Sequence, residues 1–323
     1  MNKRNGYFDF LRGLAILMVI AIHTYNIKTD GVVFRQVLNC AVPIFIAISG
    51  YFLSQKAMDT KEGYILFLKK QLPKVYYPVL LWALPLLAIS IIQGKSILAN
   101  VVLFFVCGMS IYYFVAFIMQ CYVVLPLVKK TVYRTKWGGV ILATLISVSW
   151  IAMVQYYLNP SRFELPLIVY AGPLPCWLVF FVLGATIALL TNRKYSLWIP
   201  SLITIAGFVF SIVESNYMMS HYGYGVGIKP SSFLFSIGGV LLLFSGVIEK
   251  NVAKCGLAYR GIVKLGKMSF TIYLCHCYFL YIFGIIHVSN WLVKLFIILT
   301  ISILFVSTLK RIVPKSMFKY IGL

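Results

Sequence analysis

Apolar stretches of a length that spans lipid recur along this chain, as in VYYPVLLWALPLLAISII (Val75–Ile92) and WLVKLFIILTISILFVST (Trp291–Thr308). About 20 such residues in a helix cross the roughly 30 Å hydrocarbon layer of a bilayer. Ten segments qualify: Tyr7–Ile27, Val37–Leu53, Val75–Ile92, Ile111–Val128, Gly138–Tyr157, Pro175–Leu190, Leu197–Glu214, Ser232–Ile248, Met268–Ile286 and Trp291–Thr308. A water-soluble core cannot absorb that many. Only 11% of the residues are charged, against about a quarter in soluble domains. The alternating ten-residue segments of a membrane β-barrel do not occur. The chain is therefore expected to be an all-α polytopic membrane protein of about ten transmembrane helices. One integral-membrane domain over residues 1–323 is expected, with no soluble domain, low-complexity linker or internal repeat read in the sequence. Ile97–Cys107 is apolar but too short to cross, and reads as a re-entrant or interfacial segment.

A formal charge of +22 in a soluble protein would point to nucleic acid. Its placement says otherwise. With the N-terminus in the cytosol, 23 of the 29 Lys and Arg residues fall on the cytoplasmic side, leaving Lys28, Arg35, Lys95, Arg162, Lys229 and Lys294 on or near the other. That bias follows the positive-inside rule with both termini cytoplasmic. Orientation and anionic lipid account for the charge, and no nucleic-acid partner is implied. Lys3 and Arg4 precede the first apolar run as in a signal peptide. No small-residue cleavage site follows Ile22, so the segment reads as a retained signal anchor. The seven cysteines lie mostly inside apolar runs and read as small buried hydrophobes.

Charged and ionisable residues inside the spans need a reason, because their burial in lipid is costly. The first span, FDFLRGLAILMVIAIHTYN, carries three. Asp9 and Arg12 are three residues apart and can pair on one helix face. Taken alone they also suit an anchor whose long side chain reaches the headgroups. His23 follows Arg12 by eleven residues, about three turns and roughly 16 Å along the same face, which places it past the midplane. An ionisable side chain at that depth faces the bundle interior; it is either functional or a neutral imidazole bonded to a neighbouring carbonyl.

The same stretch is similar to the first-helix signature of the acyltransferase-3 family of membrane O-acyltransferases, an Arg followed by ten residues and a His. Three further pieces agree in order. VPIFIAISGYFLS (Val42–Ser54) resembles the family's Pro-aromatic-Ser-Gly segment, LKKQLPKVYYP (Leu68–Pro78) its basic stretch ahead of a proline, and KMSFTIYLCH (Lys267–His276) its closing Ser-aromatic to His segment. Together they bracket most of the chain. The resemblance implies transfer of an acyl group, usually acetyl from cytoplasmic acetyl-CoA, to a hydroxyl of a cell-envelope glycan or lipid-linked saccharide, in a bacterial cell membrane. It implies no metal. His23 would be the essential histidine and Arg12 its partner. Lys70 and Lys74 fall where the family has Arg, and would meet the CoA phosphates with charge but without bidentate geometry. Orientation and lipid contact explain the two lysines equally well.

Other residues are open to two readings. His276 lies about nine residues into span nine, near the depth of His23; the two share a cavity, or His276 is a packed, bonded histidine. The Cys275-His276-Cys277 run is not expected to be a metal site, since neighbours on a helix diverge by about 100°. Glu214 ends span seven near Asn216, Tyr217 and His221, where it orients a sugar hydroxyl, assists a histidine by hydrogen bonding, or is simply a solvated helix end. Tyr112, Tyr113 and Gln120 are candidate lining or an interfacial belt. His221, His287, Arg162 and Glu164 read as surface residues. Two alternatives to the enzyme stand: a proton-coupled secondary transporter using the same Asp, Arg and His, and a non-catalytic subunit of an envelope assembly.

Overall fold

The computed structural model describes residues 5–58, 60–158, 166–191, 195–223, 227–285 and 290–323. Lys3, Arg4, Arg162, Glu164, Arg193, Lys194 and His287 lie outside the described residues. Seven helices are long and apolar enough to cross a membrane, and an eighth span arises if one bent pair is counted as continuous. Two of the ten expected spans, around Leu174–Leu190 and Ser269–Gly284, are apolar helices below that length. Among the described residues each of the ten expected segments is mainly helical, with breaks at Tyr25–Asn26, Asn39–Cys40 and Ser245–Gly246, and no strand occurs.

Helix α1 (Gly6–Thr24) starts where the Asn5 side chain accepts from the Tyr7 amide at 2.9 Å. It is apolar almost all round, the pattern of an interior helix. Tyr7, Phe8, Leu11, Ala15, Ile16 and Ile20 are all buried. Two short helices, α2 (Ile27–Asp30) and α3 (Val33–Leu38), lead into α4 (Ala41–Ser54). Helix α5 (Lys61–Ile92) is capped by Thr60 and runs through Pro73, Pro78 and Pro85. It begins 14 residues before the expected span, because membrane helices tolerate interior prolines. Helix α6 (Ile97–Phe105), nine residues long, is the short apolar piece. Its Ile97 and Leu98 are exposed.

Helices α7 (Tyr113–Thr135) and α8 (Gly138–Tyr156) precede the five-residue α9 (Leu167–Ala171) and the buried α10 (Leu174–Thr186). Helix α10 packs against α4, α7 and α8. A Cβ on Gly50 would run into the Phe181 carbonyl, and one on Gly184 into that of Ala47. Small residues thus let the α4 and α10 backbones touch, as membrane helices do where lipid offers no hydrophobic drive. Gly184→Leu is expected to destabilise the fold by about 3 kcal/mol, the upper end of overpacking penalties, read as a lower thermal midpoint in detergent. An unchanged midpoint would contradict this crossing.

Helix α11 (Trp198–Tyr222) packs along α12 (Pro230–Phe244). Its exposed Leu202, Ile205, Val209 and Val213 recur at helical spacing, a stripe that suits contact with lipid tails. After α12 the chain bends by 60° into α13 (Val247–Val252) and α14 (Gly256–Gly266). Helix α14 lies against α1, where Gly266 meets the Asp9 carbonyl. Helices α15 (Ser269–Ile285), α16 (Trp291–Ile312) and α17 (Phe318–Ile321) complete the bundle, and both α15 and α16 touch α1. Of the seven cysteines, five are buried, Cys277 is half-buried and Cys255 is exposed.

Candidate active site

Arg12 and His23 stand eleven positions apart on α1, and one cavity of about 390 Å³ is lined by both. Its wall comes from α1, α3, α4, α5, α7, α9, α10, α12 and α15. Most of that wall is apolar, with Val19, Ile22, Phe45, Ile118 and Trp177. Beside Arg12 and His23 the polar side chains are Ser49, Ser236 and Ser269, Tyr113, Tyr122 and Tyr273, and a cluster with Arg35, Asn39 and Ser232. A mainly apolar cavity with sparse polar groups is the usual form of a small-molecule site.

At one end, Arg12 Nη1 pairs with Asp9 Oδ1 at 2.8 Å. Asp9 is fully buried, and the guanidinium lies 5.4 Å from the Phe52 ring centroid. Helical spacing brings the ion pair together on one face, as expected from the sequence. The guanidinium keeps partial access to the cavity, so it can hold a further anion.

Three turns on, the His23 ring is exposed to the cavity. The His276 ring centroid is 5.7 Å away. His276 is fully buried and is not part of the cavity wall, so it stands beside His23 rather than sharing the space. Its Nδ1 lies 2.8 Å from the Tyr273 carbonyl and 3.1 Å from that of Ile272. Carbonyl oxygens only accept, so the neutral ring carries its proton on Nδ1 and keeps a lone pair on Nε2. That Nε2 is buried with no hydrogen-bond partner among the described residues. An imidazole fixed this way can take a proton from, or orient, the ring next to it.

The other expected residues are placed elsewhere. Lys70 and Lys74 are exposed on α5 and do not line the cavity, although Val75 does. Glu214 is half-buried on α11 and accepts from the Tyr156 hydroxyl at 2.6 Å and the Ser231 amide at 3.0 Å. The Ser231 hydroxyl also bonds to it. It therefore caps the start of α12 and ties it to α8 and α11. Glu214→Ala is expected to lose about 1.5–3 kcal/mol, the usual net worth of hydrogen bonds to a charged group, measured as a lower thermal midpoint. Tyr156→Phe should lose part of the same energy.

Tyr113 lines the cavity, whereas Tyr112 is buried and donates to the Leu274 carbonyl at 2.7 Å. Gln120 bridges the Gly172 carbonyl and the Leu174 amide. His221 is exposed and stacks on Tyr217. Cys275 faces a separate apolar groove, while Cys277 approaches the Tyr112 hydroxyl. No group of three His, Cys, Asp or Glu among the described residues is arranged to hold a metal.

The acyltransferase-3 model, described as an acyltransferase domain, matches residues 5–311. The chain belongs to the acyltransferase-3 family. No curated protein and no solved structure matches it. The match spans every helix that contributes to the cavity, so this acyltransferase carries its Arg12–His23 pair inside the family domain.

Sequence reasoning assigned no role to two cations. Arg35 on α3 lines the cavity at its His23 end. Lys229, at the start of α12, is fully buried and donates to Gln36 Oε1 at 2.5 Å, Ser232 Oγ at 2.6 Å and Ser211 Oγ at 2.9 Å. In the distribution of charge across the bilayer, both are simply cations of the far side. The available signal was the spacing of Arg35, Gln36 and Asn39, polar residues three and four apart on a helix that enters an apolar run.

Proposed function

We propose that this acyltransferase moves a short acyl group, acetyl by family resemblance, from cytoplasmic acyl-CoA to a hydroxyl of a cell-envelope glycan or lipid-linked saccharide. The observation that carries this reading is the single cavity lined by both Arg12 and His23. The Lys and Arg bias of the loops supports putting the Arg12 end in the cytosol of a bacterial cell membrane. CoA phosphates would then meet the Arg12 guanidinium through charge-assisted hydrogen bonds. The thin pantetheine arm suits the apolar wall between Val19 and Phe45.

At the far end, a neutral His23 imidazole accepts the proton of the acceptor hydroxyl as that oxygen attacks the thioester carbonyl. The C–O bond forms and the C–S bond breaks. CoA leaves as a thiolate and takes the proton from the imidazolium. A covalent route, with His23 first taking the acyl group and then passing it to the hydroxyl, uses the same geometry. His276 is a positioning residue in either route, holding the His23 ring from behind. The transporter reading lacks the family support that the enzyme reading has.

The test is purified protein in liposomes with acetyl-CoA labelled in the acetyl group. Release of free CoA together with labelled protein or labelled glycan is expected. Passage of a solute with the thioester intact would overturn the proposal.

A further inference from the structure

Arg35 is placed where the second substrate must arrive. It shares the cavity wall with His23 and is close enough to interact with it electrostatically. Under the acyl-transfer reading, on which the role of Arg35 rests, the donor occupies the Arg12 end. A hydroxyl reaching His23 from the opposite side therefore passes Arg35.

The surroundings of Arg35 are set up for an anion. Its guanidinium bonds to Asn39 Oδ1, a neutral acceptor. Among the described residues no carboxylate forms an ion pair with Arg35 or with Lys229. Lys229 spends its three donors on Gln36, Ser211 and Ser232, all uncharged, and Ser232 is itself part of the cavity wall. Glu214 is within electrostatic reach of Lys229, but its oxygens are occupied by Tyr156 and Ser231. The Asp30 carboxylate accepts from the Asn26 amide, outside the cavity wall. Among the described residues, the half-buried Arg35 and the buried Lys229 have only neutral hydrogen-bond partners, which leaves positive charge at the edge of an apolar cavity. Burying charge in this way is costly unless something of opposite sign comes to it.

We propose that Arg35, with Asn39 and Ser232 beside it and Lys229 behind, forms an anion subsite for the acyl acceptor, so that the accepting sugar carries an acidic group. That group is a carboxylate, as in an acidic sugar, or a phosphate, as in a glycosyl phosphate. Either binds a guanidinium through two parallel hydrogen bonds, which also fixes the orientation of the sugar beside His23.

The experiment is direct binding by calorimetry to the purified protein in detergent, without acyl-CoA, using glucose, glucuronate and glucose 1-phosphate as probes. At least one anionic sugar is expected to bind about tenfold or more tightly than glucose, the effect of one charge-assisted contact. Preference for glucuronate alone assigns an acidic sugar, preference for glucose 1-phosphate alone a glycosyl phosphate, and preference for both a subsite that reads charge. Arg35→Gln should abolish the preference. If that variant does not fold, raising the salt on wild-type protein still decides, because a preference of electrostatic origin shrinks with ionic strength. Equal binding of all three sugars, or a preference untouched by salt and by Arg35→Gln, overturns the subsite. Binding is measured without the donor, so failure of acyl transfer would appear separately as absence of thioester cleavage.

Discussion

His23→Ala is expected to lower the turnover of acyl-CoA by about a hundred- to ten-thousandfold, the range that a positioned general base contributes. The KM for acyl-CoA should change little, since the CoA phosphates bind three turns away at Arg12. The substitution removes a ring that is exposed to the cavity, so the fold has little to lose and the thermal midpoint should hold. His276→Gln makes a complementary probe. It keeps a hydrogen-bonding group near the Tyr273 and Ile272 carbonyls but removes the imidazole ring that stands 5.7 Å, centroid to centroid, from that of His23. If His276 positions the base, the pH dependence of turnover shifts in this variant. If it only packs, the midpoint drops and the pH profile stays. Full turnover in His23→Ala would remove this imidazole from the chemistry altogether.

The spans were legible because lipid imposes a length and a composition that few other environments demand. Each apolar segment expected from Tyr7 to Thr308 is mainly helical among the described residues, and the misfit lies in the two short helices around Leu174 and Ser269 and in the 60° bend after Phe244. Arg12 and His23 were legible for a related reason. Helical periodicity alone puts residues eleven apart on nearly one face. What periodicity does not give is the direction in which that face points relative to neighbouring helices. Lys70 and Lys74 share a face by the same arithmetic, yet α5 turns it away from the cavity. His276 was at the right depth, but its ring sits behind His23 because Nδ1 is drawn to two carbonyls of its own helix.

Arg35 and Lys229 escaped notice for the opposite reason. Counting charges by side of the membrane treats a cation in a connecting segment as solvated. In the folded chain α3 packs against α1 and α11, Gln36 is buried there, and it meets Lys229 across 193 residues of sequence. Such a contact has no local signature. It depends on α11 and α12 bringing Ser211 and Ser232 to the same point. The polar lining of the far end of the cavity is thus a product of tertiary packing, whereas the near end is written into a single helix turn.

That single turn supports the second large effect. Arg12→Met leaves the fully buried Asp9 carboxylate without the guanidinium 2.8 Å away, and breaking such a pair from one side costs about 3–5 kcal/mol. The variant should melt earlier, and its KM for acyl-CoA should rise about ten- to a hundredfold if Arg12 also holds a CoA phosphate. The two effects have different origins and can be separated. Asp9→Asn combined with Arg12→Met removes both charges and should recover most of the thermal midpoint, while the KM stays high. Arg12→Lys keeps the charge but not the bidentate fork, so it should melt near wild type with an intermediate KM. A double variant that regained both stability and KM would reduce Arg12 to a counter-ion for Asp9, and would move the donor's phosphates away from this end of the cavity.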